Sequence, residues 1–141
     1  DKIASYDDHI SRIGLADIAL DILPYNGHST SADILRAGVP LVTVKGNSYH
    51  SRVSWSLLEA CGVGELAADD DERYVSLAVH LAYDPDALRT IRKRLEENNQ
   101  ASPIFDPQRM ARHLERAFEM MADRARQGLL PDHMDVPPLP R

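Results

Sequence analysis

Between Asp17 and Val44 the chain carries a run of local signals that leaves little choice of architecture. Asp17-Ile18-Ala19-Leu20-Asp21 is a compact apolar run between carboxylates, short enough for a buried strand. Leu23-Pro24-Tyr25-Asn26-Gly27 comes next, and its Pro, Asn and Gly mark a loop. His28-Ser29-Thr30-Ser31-Ala32-Asp33 then opens a helical stretch that reaches Ala37. A hydroxyl of Ser29 or Thr30 can cap it by accepting from an otherwise orphan backbone N–H, and Asp33 falls in about the first turn. Gly38 is the expected residue just past the helix end, and Val39-Pro40-Leu41-Val42-Thr43-Val44 reads as a β-branched strand. Strand, tight loop, short helix, strand is a βαβ crossover. It joins parallel strands and requires a sheet covered by helices.

The remainder extends this plan. Gly46-Asn47-Ser48 makes a turn, and Ser51 to Cys61 reads as a helix with Val53, Leu57, Leu58 and Cys61 on one side. Gly62 and Gly64 close it, and Glu65-Leu66-Ala67 suits one last short strand. From Asp70 the period becomes helical, with Tyr74, Leu77, Ala78, Leu81 and Ala82 forming one stripe. Asp84-Pro85-Asp86 breaks that helix and opens another carrying Leu88, Ile91 and Leu95. Ser102 to Pro107 is a connector. The longest helix runs from about Pro107 to Arg126, with Met110, Leu114, Ala117, Phe118, Met121 and Ala125 on one face, and Gly128 stops it. The fold expected is α/β: a partial Rossmann-like parallel sheet with flanking helices and a helical C-terminal region. It occupies residues 1–130, and residues 131–141, rich in proline, form an extended tail. Doubly wound sheets usually have about five or six parallel strands, so further strands are expected before Asp1.

Composition limits the partners. Sixteen Lys and Arg against 22 Asp and Glu give a net charge of −6, the wrong sign for a general nucleic-acid binder, although a local anion site remains open. No apolar run approaches the roughly 18 residues of a membrane span, and no signal-peptide pattern opens the chain. The single Cys61 excludes an intrachain disulfide and any multi-cysteine metal site; it fits a reducing compartment, and a cytoplasmic location is expected. There is no Gly-x-Gly-x-x-Gly, Gly-Lys-Ser/Thr, His-Glu-x-x-His, EF-hand or Gly-x-Ser-x-Gly pattern, and nothing visible requires a metal.

Ligands of open α/β sheets bind at the carboxyl ends of the strands, against the next helix. Here that place is Tyr25 to Asp33. Unpaired N–H groups and the helix dipole favour an anion there, Gly27 lets the backbone approach closely, and His28, Ser29 and Thr30 add side-chain donors. Asp33, one turn in, would repel phosphate but can accept from two vicinal hydroxyls of a ribose. Two readings of this segment stand side by side: a nucleotide read from diphosphate to ribose, or a plain N-cap and then a dipole-favoured surface charge. His9 and Arg12 share a face if Asp8 to Ile13 is helical; they are either a solvated turn or contacts to a base and its phosphates. His50 and Arg52, beside Ser48 and Ser51, suit capping or ligand contact. His80 and His113 read as structural or exposed, and His133 has no local explanation.

Taken together, the string His9-x-x-Arg12, Leu15-Ala16-Asp17, Asp21-x-x-Pro24-Tyr25-Asn26-Gly27-His28-Ser29-Thr30-x-x-Asp33 and Ala37-Gly38-Val39-Pro40 is more specific than its parts. It resembles the C-terminal catalytic lobe of the O-linked N-acetylglucosamine transferase/SPINDLY family, glycosyltransferases of the GT-B type. The likeness continues through Ser51-Arg52-Val53 and Ser102-Pro103-Ile104-Phe105-Asp106 to Gly128 and Pro131-Asp132-His133. The resemblance implies a UDP-sugar donor, UDP-N-acetylglucosamine above all, and metal-independent inverting transfer to Ser or Thr of proteins. It implies that His9 packs against uracil and Arg12 contacts it. His28, Ser29 and Thr30 would bind the diphosphate and sugar, and Asp33 the ribose. Tyr6 stands where close animal relatives have a nucleotide-contacting lysine, and Ser11 and Ile13 also depart from their pattern. The family's base, acceptor contacts and substrate-binding helical repeats belong to other regions, and a phosphate-contacting lysine lies upstream. No catalytic residue is therefore expected within this chain; alone it is expected to bind nucleotide weakly or not at all, and not to turn over. The alternatives are another UDP-sugar or acceptor on the same fold, and a non-catalytic α/β interaction module.

Overall fold

Local capping chemistry sets most helix boundaries in this chain. The computed structural model describes residues 5–99 and 102–139; Pro140 of the proline-rich tail lies outside them. Ser5 starts α1 (Tyr6–Ile13), its hydroxyl accepting from the Asp8 N–H at 3.1 Å. After β1 (Ala19–Leu20) comes α2 (Ser29–Arg36), which ends as expected: Gly38 has φ 73°, and its N–H and that of Val39 bond back to Leu35 and Ile34. β2 (Leu41–Val44) is next, then a 3₁₀ turn at Tyr49–Ser51, α3 (Val53–Ala60), a second turn at Gly64–Leu66 and β3 (Ala67–Ala68). Asp70 caps α4 (Asp71–Tyr83) through the Arg73 N–H at 2.7 Å. Asp84 starts α5 (Pro85–Asn99) by accepting from Ala87 and Asp86, and those backbone bonds hold its carboxyl below the usual range.

Among the described residues three strands pair in the order β1-β2-β3, all parallel, with Ala19 opposite Leu41 and Thr43 opposite Ala67. All four residues of β2 are buried, so both faces of this strand are covered, as a parallel sheet requires. α2 and α3 pack on each other and on β2, while α4 packs across β2 and β3. Leu35, Leu41, Leu58, Val63, Leu66 and Leu95 are fully buried in this core. Two elements are shorter than their apolar runs. β1 covers two residues of the Asp17–Asp21 run, because among the described residues it pairs only with β2, and Leu20 is exposed. The last strand begins at Ala67, since Glu65 and Leu66 are spent in the turn before it.

The chain divides into two compact units, Asp1–Ser102 and Pro103–Arg141. In the second, Asp106 caps α6 (Pro107–Arg126) through the Arg109 N–H at 2.8 Å. The tail beyond it forms no regular element and lies back along the helix: Arg124 bonds Leu130 O and Asp132, and His113 Nε2 accepts from the Leu139 N–H at 3.2 Å. Among the described residues no helix is long and apolar enough to cross a membrane.

Candidate functional site

At the carboxyl end of β1 the backbone turns out of the sheet, and Asp21 organises the loop that leaves it. Its carboxylate is buried and accepts three hydrogen bonds, from Gly27 N–H at 2.8 Å, Ile22 N–H at 3.0 Å and the Thr43 hydroxyl at 2.7 Å. The first draws the loop back over the strand ends and the last ties it to β2. Asn26, also buried, donates its backbone N–H to His50 O at 3.0 Å, linking this loop to the one after β2. Gly27 has no room for a side chain, since a Cβ there would lie 2.5 Å from Ser31 Oγ. Ser31 in turn shares a hydrogen bond of 2.9 Å with Ser54 of α3, and Ser54 donates to Gly27 O.

This anchoring sets where α2 begins, and it corrects one expectation. Neither Ser29 nor Thr30 caps the helix. Buried Ser31 is fixed in the first turn, so Ser29 and Thr30 are already helical, and the N-cap is His28, whose side chain makes no capping bond. The leading N–H groups of α2 therefore lack a side-chain cap, beside the exposed Ser29 and Thr30. The His28 ring instead stacks on Tyr25, with centroids 5.0 Å apart and planes at 13°, and meets Tyr49 edge-on at 6.1 Å. Its Nε2 is buried and has no hydrogen-bond partner among the described residues. Tyr25 stacks equally on His50 at 5.3 Å. His50 is held in turn by Ser48 Oγ at 3.1 Å, inside the reciprocal Ser48/Ser51 cap of its 3₁₀ turn. Arg52 is exposed and forms no side-chain cap at the start of α3.

One turn into α2, Asp33 faces α1. His9 Nε2 lies 3.2 Å from Asp33 Oδ2, and the Tyr6 hydroxyl donates to Asp33 Oδ1 at 2.6 Å. The carboxylate keeps the Tyr6 phenol protonated above its ordinary range. Ser29 and Asp33 share a helix face four residues apart, a rise of roughly 6 Å. Arg12, one turn along α1 from His9, is exposed, and its side chain makes no hydrogen bond or ion pair among the described residues. The structure thus brings His9 directly to Asp33 and places His28, Ser29 and Thr30 at the head of the same helix. It leaves Arg12 unengaged. His80 is exposed, 4.0 Å from Asp84, and His113 donates to Arg109 O while accepting from Leu139, so both have structural partners.

Three residues of the site, Tyr6, Asp21 and Tyr25, are given no role by local reading, whereas His50 is among the candidates for ligand contact. Asp21 does carry a signal, as a carboxylate closing a strand six residues before a glycine, an arrangement that lets a side chain close the loop on itself. Tyr6 and Tyr25 have no signal within their own segment. A concavity of about 370 Å³ lies along α3 against Arg52, Trp55 and Leu57, and meets the ring cluster only through Tyr49.

Residues 1–114 match the family described as Glycosyl transferase family 41. The chain is 41% identical over 121 residues to the probable UDP-N-acetylglucosamine–peptide N-acetylglucosaminyltransferase SPINDLY of Hordeum vulgare, covering 86% of this chain and 13% of that protein. It is 38% identical over 133 residues to the UDP-N-acetylglucosamine–peptide N-acetylglucosaminyltransferase of Caenorhabditis elegans, covering 94% of this chain and 12% of the other. Among solved structures it is similar to a mutant of the Thermobaculum terrenum O-GlcNAc transferase, with a TM-score of 0.80 and 33% identity over 86% of this chain and 23% of that one. The chain therefore spans only about an eighth of the length of these two curated relatives.

Proposed function

This chain belongs to glycosyl transferase family 41, and on that premise we propose that it is the donor-nucleotide-binding part of an enzyme that transfers N-acetylglucosamine from UDP-N-acetylglucosamine to Ser and Thr hydroxyls of proteins. One observation carries the reading: His9 Nε2 lies 3.2 Å from Asp33, although 24 residues separate them. A nucleotide's base and ribose are joined by one bond, so groups that recognise them must be neighbours in space. His9 offers a ring for uracil and Asp33 a carboxylate for the ribose hydroxyls. Up the same helix, Ser29 and the uncapped N–H groups stand at about the distance from ribose to diphosphate.

The transfer is inverting and independent of metal. As the bond from the sugar to UDP breaks, negative charge grows on the diphosphate, and N–H and O–H donors already directed at the head of α2 stabilise it without reorganising. His28 Nε2, buried and unpaired, gains a partner when a phosphate oxygen reaches it. Transfer also needs a surface that presents the acceptor hydroxyl and a base to deprotonate it, which the resemblance assigns to a second lobe. By itself the chain is expected to bind nucleotide weakly or not at all, and not to turn it over.

Titration of the full-length protein with UDP, monitored by amide and imidazole NMR, tests this. Shifts are expected at His9, His28 and Asp33, with binding weakened about tenfold or more in His28→Ala and Asp33→Ala. Titrations of UDP-glucose, UDP-galactose and UDP-N-acetylglucosamine then rank the donors, and the last should bind tightest. Saturating UDP with no response at these residues would make the unit a scaffold and defeat the proposal.

A further inference from the structure

Both carboxylate oxygens of Asp33 have partners within the protein. The Tyr6 hydroxyl donates to Oδ1 at 2.6 Å and His9 Nε2 lies 3.2 Å from Oδ2, one contact on each oxygen. A carboxylate offers about four lone-pair sites, so one remains on each oxygen. Two free acceptor sites on adjacent oxygens suit the two hydroxyls of a vicinal diol. Tyr6 is well placed to hold that arrangement. It is the first residue of α1, whose start is fixed by the Ser5 cap, and the Arg36 guanidinium of α2 lies 5.9 Å from its ring centroid. The phenol is therefore held at its ring by one residue of α2 and at its hydroxyl by another.

We propose that Tyr6 is a positioning residue for the ribose: its hydroxyl fixes the plane of the Asp33 carboxylate so that the remaining lone pairs meet the 2′ and 3′ hydroxyls of a ribonucleotide. The inference rests on the assignment of Asp33 to the ribose and adds a determinant for ribose over deoxyribose. The hydrogen bond to Asp33 keeps the phenol protonated well beyond neutral pH, so Tyr6 donates throughout the working range. Without that bond the carboxylate rotates about its terminal torsion, which is broad and roughly two-fold, and its lone pairs no longer meet both hydroxyls at once.

The test compares UDP with 2′-deoxy-UDP in the full-length protein, as wild type, Tyr6→Phe and Asp33→Ala, by calorimetry. Tyr6→Phe keeps the ring and its place beside Arg36 and deletes only the hydroxyl. Wild type should prefer UDP. In Tyr6→Phe, UDP affinity should fall about three- to tenfold while 2′-deoxy-UDP affinity changes little, so the preference shrinks. Asp33→Ala should abolish it. An unchanged preference in Tyr6→Phe, with Asp33→Ala abolishing it, would reduce Tyr6 to a link between helices and overturn the proposal alone. Tighter UDP binding by Tyr6→Phe would show the phenol competing with ribose, and loss of the native amide spectrum would show a structural prop; either overturns it. A preference that survives in Asp33→Ala, or no UDP binding by wild type, would remove the assignment of Asp33 beneath it.

Discussion

Asp21 shows how much one buried side chain can decide. A carboxylate withdrawn from water costs several kcal/mol unless its lone pairs are filled, and here Gly27, Ile22 and Thr43 fill them. The same three bonds shape the loop that delivers His28 to the head of α2. Removing the carboxylate leaves two backbone N–H groups and a hydroxyl without their acceptor, two of those bonds being charge-assisted contacts within 2.8 Å. Asp21→Ala is therefore expected to destabilise the chain by about 3 kcal/mol, read from urea unfolding, and to shift the imidazole resonances of His28 and His50. An unfolding midpoint equal to wild type would mean that the loop is held by its other contacts. Asp33 carries a similar charge but lies nearer the surface, where the residues that hold it leave acceptor capacity for a ligand.

At the level of elements, the boundaries legible in the sequence are those closed by chemistry within a few residues. Gly38 ends α2 because a left-handed residue lets its own N–H and that of Val39 reach Leu35 and Ile34. Pro107 after Asp106 starts α6 for an equally local reason. Gly38 offers a clean measurement, since a Cβ there meets nothing within 4 Å and only its φ of 73° opposes a side chain. Gly38→Ala should cost about 1 kcal/mol in thermal or chemical unfolding, without altering UDP binding. The start of α2 is not legible in the same way, because Ser29, Thr30 and Ser31 are equivalent as local capping signals. What distinguishes Ser31 is Ser54, 23 residues away on another helix.

For the molecule as a whole, the stability of the first unit depends on a core that joins distant segments: Leu35 of α2, Leu58 of α3 and Leu95 of α5 are all fully buried. Cys61 reports on it. Its thiol is buried at the end of α3, 3.8 Å from Ser102 Oγ, and burial pushes its pKa up, partly offset by that contact. The neutral thiol is favoured in the folded state. Its contribution to stability is therefore fully present below the unfolded thiol value of about 8.5 and is lost as pH rises through the folded value. Iodoacetamide should label Cys61 at pH 8 only at the rate of unfolding, and Cys61→Ala should flatten the alkaline decline in unfolding midpoint. Rapid labelling under native conditions would show that this part of the core opens locally.

The amino-acid sequence by itself determined the crossover: apolar run, loop, short helix, glycine and β-branched strand each arise from the physics of their own few residues. The segment from His28 to Thr30 was legible for the same reason, as a helix start beyond a strand end. Tertiary structure alone decided which side chains share that space. Tyr6 and His9 reach Asp33 across 27 and 24 residues, and Tyr25 meets His50 across a second crossover, because α1 docks on α2 and two loops close over the same strand ends. Such meetings depend on how separately formed elements pack, and no spacing along the chain encodes them.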